Sequence, residues 1–368
     1  MKRIGILTSS RADYGIYYPL LKKLQSDSFF SLAIIAFGTH LSSKFGYTVN
    51  TIIQDGFPVA HQLDTMPSDD KPEGISKGMG KTITAFSSLW AEEQFDVVLC
   101  LGDRYEMFAA CASSVPYNVR LAHLHGGEET LGAIDDCFRH SITHMASIHF
   151  TSAEPYRKRV VALKGSDKNV FNTGSLSIDN LHNLELLTLE QFKKEFSIDL
   201  SIPSILVTFH PETVSFEKNE WYVNELIAAM EKLGGYQFII TMPNADTMGN
   251  LIRGKLEEFI KKSENAVGVE SFGTLGYLSC MKHCSLMLGN TSSGYIEASY
   301  FPKYVVDLGT RQQGRIVTKN IRKCVIEKNA IVNAVNAYKT VQLPPKINIY
   351  GNGTSSDYII KILKGEND

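Results

Sequence analysis

Short runs of apolar residues alternate with longer stretches in which apolar side chains return every three or four positions, and the alternation recurs along the whole chain. Residues 3–8 (RIGILT) form a strand-length apolar run, after which Tyr17, Leu20, Leu21 and Leu24 follow at helical spacing. Residues 32–37 predict a second strand, and Ile75, Met79, Ile83, Phe86, Leu89 and Trp90 mark a long amphipathic helix. Residues 95–101 (FDVVLCL) are almost continuously apolar, as a strand covered on both faces of a parallel sheet requires. Strands over 119–125, 147–152 and 169–172, a helix opening near Asp135 and another over 154–163 complete a first half. The second half repeats the pattern with strands 204–209, 236–241, 285–288 and 304–308, and a helix carrying Tyr222, Leu226, Ala229, Met230 and Leu233. The alternation predicts an α/β protein with two Rossmann-like domains, residues 1–174 and 175–353. The stretch 174–183 (GSLSIDNLHN) is the expected crossing, and an apolar helix within 354–366 is expected to return to the first domain.

Polar residues gather at the ends of the predicted strands, where open parallel sheets bind ligands. Ser9, Ser10, Arg11 and Asp13 follow the first strand, and His40 follows the second. The first loop lacks the glycine spacing of a dinucleotide fingerprint, so NAD is not expected, while Arg11 at a helix start suits a phosphate. The densest set lies between Leu101 and His144: Asp103, Glu128, Asp135 and Asp136 with His123, His125, His140 and His144. A period of two puts His123 and His125 on one strand face, and Gly126 and Gly127 allow a sharp turn. Spacings of four place Asp135 with Arg139, and Asp136 with His140, on shared helix faces. A capped helix with ion pairs would use some of these groups. A cluster of titratable groups behind a Gly-Gly turn at a strand end fits proton transfer better.

In the second half, His210, Pro211, Glu212 and Thr213 follow one strand, and Met242, Pro243, Asn244, Ala245 and Asp246 follow the next. Residues 289–294 (GNTSSG) read as a strand-to-helix turn in which Thr291, Ser292 and Ser293 offer hydroxyls and backbone N–H groups to a phosphate. Glu297, one turn on, is placed to accept hydrogen bonds from ribose hydroxyls, and Arg311 and Arg315 offer mobile positive charge to a diphosphate. Polar strand ends in both halves imply two parallel sheets facing a central cleft.

Composition narrows the function classes. Lysine and arginine total 37 against 39 acidic residues, so no bulk positive field is available to hold nucleic acid or anionic lipid. No window approaches the ~20 apolar residues of a membrane helix, and MKRIGILTSS reads as a strand rather than a secretory leader. Six scattered cysteines in apolar surroundings suggest reduced thiols and a cytoplasmic location. Cys280, His283 and Cys284 lack a second ligand pair, and no metal is expected there.

The motifs SSRADYG, LGDRYE, HLHGGEETLGAIDD, FHPET, MPNADT, GNTSSGYIEA and LGTRQQGR, in that order, resemble those of the hydrolysing UDP-N-acetylglucosamine 2-epimerases of sialic acid biosynthesis. The resemblance covers nearly the whole chain. It implies the GT-B fold, a UDP-sugar substrate, UDP and N-acetylmannosamine as products, no metal or cofactor, and a homodimer or tetramer. Carried over by motif, Arg11, Asn244, Thr291, Ser292, Ser293, Glu297 and Arg311 would hold UDP. Arg104 and His210 would face the diphosphate or sugar, and Asp103, Glu128, Asp135, His125 and His210 would be catalytic; His40, from its place after the second strand, is added as a substrate contact. The implied reaction eliminates UDP to a 2-acetamidoglucal, then hydrates it with the opposite C2 configuration. Alternatives within the resemblance are hydrolysis of UDP-2,4-diacetamido-2,4,6-trideoxyglucose and the non-hydrolysing epimerisation. A glycosyltransferase, or a UDP-sugar-binding regulator without activity, would have no need of the cluster between residues 101 and 144.

Overall fold

A computed structural model describes residues 1–67, 69–243, 246–301, 303–342 and 347–366. The chain divides into two compact units: residues 1–128, 135–183 and 349–368 form the first, and residues 129–134 and 184–348 the second.

The first unit begins with β1 (Lys2–Thr8), α1 (Arg11–Ser26), β2 (Phe30–Phe37), α2 (Val49–Gln54), β3 (Val59–Leu63), α3 (Pro72–Glu92), β4 (Val97–Leu101) and α4 (Tyr105–Ser114). It continues with β5 (Leu121–Leu124), α5 (Asp135–Met145), β6 (Ile148–Thr151), α6 (Glu154–Lys164), β7 (Val170–Asn172) and α7 (Leu176–Asn183). Among the described residues its seven strands pair in the order β3-β2-β1-β4-β5-β6-β7, all parallel. Helices cover both faces, and each has its own apolar cluster. Ile4, Ile6, Leu99, Leu124 and Phe150 pack with Tyr17, Leu20 and Leu24 of α1 on one side, while Leu7, Ile35, Val98 and Cys100 pack with Phe86 and Trp90 of α3 on the other. This two-sided burial is why β4 is apolar at every position.

The second unit carries α8 (Leu189–Phe196), β8 (Ser204–Thr208), α9 (Asn219–Lys232), β9 (Gln237–Thr241), α10 (Gly249–Lys262), β10 (Ala266–Val269) and α11 (Gly273–His283). Then come β11 (Leu286–Gly289), α12 (Glu297–Tyr300), β12 (Tyr304–Leu308), β13 (Ile321–Cys324) and α13 (Lys328–Ala337). Its strands, again parallel, are ordered β10-β9-β8-β11-β12-β13 among the described residues. Two parallel-sheet α/β domains of this kind constitute the GT-B class. The last helix, α14 (Ser355–Lys364), belongs to the first unit, where Ile359, Ile362 and Leu363 join the cluster built on α1.

The boundary falls after Asn183 rather than at residue 174, because residues 176–183, within the stretch expected to cross between the halves, form a helix of the first unit. Asp179 in α7 is fully buried and accepts the backbone N–H groups of Ser355 (2.9 Å) and Ser356 (2.7 Å), capping α14. That cap fixes α7 and α14 together on α1. Among the described residues no helix is long and apolar enough to cross a membrane.

Candidate active site

In each sheet the strand order reverses at one place, between β1 and β4 in the first unit and between β8 and β11 in the second. Connections leave such a switch point in opposite directions, so the strand-end loops part and open a crevice. Four of the polar motifs lie at these two places: Ser9–Asp13 after β1, Gly102–Arg104 after β4, His210–Thr213 after β8, and Asn290–Gly294 after β11.

At the first switch point Asp13 is the organising group. Its buried carboxylate accepts the hydroxyls of Thr8 (2.6 Å) and Ser9 (3.0 Å) and the backbone N–H groups of Ser9 (2.8 Å) and Ser10 (3.1 Å). Burial opposes its charge, but these donors and His40 outweigh that and hold its pKa below the ordinary carboxylate value. Arg11 starts α1 directly behind this turn. His40, read from sequence as a substrate contact, is 0% exposed, with Nε2 2.9 Å from Thr8 Oγ1 and Nδ1 2.8 Å from Thr48 Oγ1. Both ring nitrogens are committed to the scaffold, so His40 shapes the β1 loop from behind.

Beyond β4, Arg139 of α5 gathers the acid groups. Its guanidinium, 2% exposed, pairs with the Asp103 carboxylate, donates from Nη1 to the Glu128 carbonyl (2.9 Å) and lies 3.6 Å from Asp136. Arg104 donates from Nε to buried Glu106 at 2.5 Å. Asp135 opens α5, and Asp136 lies 3.4 Å from His140. The Glu128 carboxylate is buried, accepts the Ser152 hydroxyl at 2.6 Å and lies 2.9 Å from His125 Nδ1.

The sequence placed His123 and His125 on one strand face, but β5 ends at Leu124 and His125 has φ +64°. The left-handed conformation breaks the alternation, and Gly127 completes the turn at φ +79°, where a Cβ would stand 2.4 Å from the Tyr156 carbonyl oxygen. His123 instead points into the core. Its Nε2 donates to the Gly102 carbonyl (2.8 Å), directly before Asp103, and its Nδ1 is 3.1 Å from the Thr143 hydroxyl.

Burial lowers the pKa of His123 to about 4 and that of its in-register neighbour His149 to about 3. Both rings are therefore neutral in the native state and titrate near 6.5 once the chain unfolds. The unfolded chain then binds more protons between pH 6.5 and the native values, so stability is present above that window and lost as pH falls through it. A loss of roughly a few kcal/mol between pH 7 and 4.5 is expected from the pair, read as a lower urea midpoint.

At the second switch point Asn290 joins the two loops. Its Oδ1 accepts the His210 backbone N–H (2.7 Å), its Nδ2 donates to the His210 carbonyl (2.8 Å), and its own carbonyl accepts Gln312 Nε2 (2.8 Å). Gln312 Oε1 in turn accepts Arg315 Nε at 2.6 Å, which makes Arg315 a buried brace rather than the mobile cation expected from sequence. Arg311 pairs with buried Asp246 (2.9 Å) and donates to the Pro211 carbonyl. Glu212 holds the start of this loop by accepting the Thr310 N–H (2.5 Å) and hydroxyl (2.9 Å).

Residues 129–134 pack on the same loops of the second unit. Leu131 N donates to the Gln313 carbonyl (3.0 Å), Ile134 N donates to Thr213 Oγ1 (2.9 Å), and a Cβ on Gly132 would lie 2.5 Å from Thr310 C and 2.6 Å from Arg311 N. After β11, Thr291 Oγ1 caps a single 3₁₀ turn over Ser292–Gly294, and Ser293 Oγ is 2.6 Å from the Tyr277 hydroxyl. The α-helix that follows is only the four residues opened by Glu297. Hydroxyls and turn N–H groups are thus the donors of this loop, not the dipole of a long helix. Asn244 lies outside the described residues.

The profile of the UDP-N-acetylglucosamine 2-epimerase family matches residues 22–364. The chain belongs to that family. It is 36% identical over 87% of its length to the hydrolysing GDP/UDP-N,N'-diacetylbacillosamine 2-epimerase of Campylobacter jejuni, covering 83% of that protein. It is 34% identical over 91% of its length to polysialic acid biosynthesis protein P7 of Escherichia coli, covering 86%. In structure it is similar to the UDP-GlcNAc 2-epimerase of Neisseria meningitidis solved with UDP-GlcNAc, with TM-score 0.82 and 17% identity, over 99% of this chain and 100% of that one. The 2-epimerase fold accounts for the placement of the motifs at strand ends. Arg139, Ser152, Glu212, Asp246, Asn290 and Gln312, to which sequence reasoning assigned no site role, brace those motifs through bonds to backbone, guanidinium and carboxylate groups. A signal for Arg139 existed in its helical spacing, but its partner Asp103 is distant in sequence.

Proposed function

We propose that this family member hydrolyses a UDP-linked 2-acetamido sugar with inversion at C2, UDP-N-acetylglucosamine being the substrate and UDP and N-acetylmannosamine the products. The observation that carries the reading is one buried guanidinium that pairs with the Asp103 carboxylate, holds the Glu128 backbone carbonyl and lies beside Asp136, with Asp135 next to it on α5. The chemistry needs a base to remove the C2 proton while the C1–O bond to UDP breaks, leaving 2-acetamidoglucal. Water then adds its hydroxyl at C1 and a proton at C2 from the opposite face. Carboxylates and imidazoles held in fixed positions supply both steps. Asp103 and Glu128 serve the elimination and Asp135 the hydration. In the second unit Thr291, Ser292, Ser293, Glu297 and Arg311 hold the UDP moiety, with His210 directed to diphosphate or sugar; within the first unit Arg11 and Arg104 offer positive charge to the same class of group.

A second reading is favoured by the 36% identity to the Campylobacter diacetylbacillosamine enzyme: the same reaction on UDP-2,4-diacetamido-2,4,6-trideoxyglucose. Incubation with each sugar in deuterated water separates the two. Free UDP and C2-deuterated N-acetylmannosamine support the first reading, turnover of the diacetamido sugar alone selects the second, and a UDP-linked epimer from either overturns hydrolysis.

Gly132 tests the nucleotide side. Any side chain there meets the Thr310–Arg311 backbone, which has no rotamer with which to yield. Gly132→Val is expected to displace Arg311 and weaken UDP binding by about tenfold or more, close to 1.4 kcal/mol, in a calorimetric titration.

A further inference from the structure

We propose that Glu128 is a positioning residue that acts through His125, and that the imidazole Nε2 of His125, rather than the Glu128 carboxylate, exchanges the proton at this turn. The inference rests on the proposed reaction and moves the proton exchange that reading assigns to Glu128 onto His125.

The Glu128 carboxylate is 2% exposed, and its Oε1 receives both the Ser152 hydroxyl (2.6 Å) and the His125 ring (2.9 Å). An ionised carboxylate only accepts, so the proton of that contact sits on His125 Nδ1. The tautomer is thereby fixed, and Nε2 is left to take or give a proton. It lies 3.5 Å from Ser175 Oγ, which accepts the Ser177 backbone N–H at 3.3 Å. A carboxylate that orients an imidazole and stabilises its cation, without itself reaching the reacting atom, is a recurrent arrangement in acid–base catalysis.

The backbone agrees. His125 has φ +64°, a conformation costly for a residue with a Cβ and retained where the surroundings enforce it. Its N–H donates to the Phe150 carbonyl (3.0 Å), while the Arg139 guanidinium anchors the Glu128 carbonyl (2.9 Å). Both ends of the His125–Glu128 turn are thus pinned, and the strained residue is the imidazole. The groups around His125 are Glu128 on its own turn, neutral His123 at the end of β5, Arg139 on α5, Ser152 after β6 and Ser175 before α7. Glu128 is the charged group in direct contact with the ring.

The test combines a tautomer measurement and a kinetic cycle. Imidazole nitrogen NMR of the full chain reads which ring nitrogen of neutral His125 carries the proton, and the proposal expects Nδ1. In turnover, Glu128→Gln should lower kcat with little change in KM. In a His125→Gln background, Glu128→Gln should cost no further activity. A neutral His125 that carries its proton on Nε2, or a further loss of tenfold or more in the His125→Gln background, overturns the proposal. If the native chain turns over neither UDP-sugar, the proposed reaction fails, while the tautomer still decides the pairing.

Discussion

Asp103→Asn is expected to reduce UDP release from the sugar by about 10²- to 10⁴-fold, the range lost when a positioned proton-transfer group is removed. Asp103 stands at the C-terminal end of β4, one residue beyond Gly102, at the switch point of the first sheet. Its backbone is fixed by His123 through the Gly102 carbonyl and its carboxylate by Arg139. The side chain is 20% exposed against 2% for Arg139, so it remains open to a ligand on the side away from the guanidinium. Asparagine keeps the shape and an acceptor for Arg139 but cannot take a proton at neutral pH. The fold is therefore expected to survive, with a stability loss of about 1–2 kcal/mol for the weakened charge-assisted bond. Steady-state UDP release and loss of C2–H exchange in deuterated water give the readout. An Asp103→Asn protein with full turnover removes Asp103 from the mechanism.

Arg139→Met is expected to lower stability by about 3 kcal/mol, at the low end of the ~3–5 kcal/mol for breaking a buried ion pair, since Asp103 keeps some contact with water. Methionine fills much of the volume but leaves the Asp103 carboxylate and the Glu128 carbonyl without the donor that joins them. Turnover should fall with stability, because two acid groups lose their common support. Arg139→Lys is not expected to rescue it, since an ammonium cannot span a carboxylate and a carbonyl with the fixed fork of a guanidinium. Urea unfolding, with turnover measured well below the transition, separates the two effects. An Arg139→Met protein with native midpoint and native kcat contradicts the assignment of Arg139 as the brace.

The central strands were legible because burial on both faces leaves a signal needing no knowledge of neighbours. FDVVLCL and the runs at 204–209 and 304–308 mark such positions. The outer strands β3, β10 and β13 left no such run. Each is short and partly exposed: β3 and β13 carry neither continuous apolarity nor clean alternation, and β10 is only the four residues AVGV. Residues 174–183, expected as the crossing between halves, gave no sign that they form a helix of the first unit: α7 is mostly buried, and the role of Asp179 shows only where it caps a helix 176 residues away.

For the site, the sequence by itself determined the candidates: Asp103, Glu128, Asp135 and the histidines for proton transfer, and GNTSSG with Arg311 for an anion, since each signal is local to a strand end. Only the tertiary structure decided how those groups are held and which of them meet. It turned His40 into scaffold, made Arg315 a brace, took His125 off the strand face and set it against Glu128, and delivered Arg139 to Asp103. The physical reason is that hydrogen bonds and ion pairs depend on distances of a few ångströms between residues far apart in the chain. A periodic pattern encodes which face of an element is buried, but not which partner waits there.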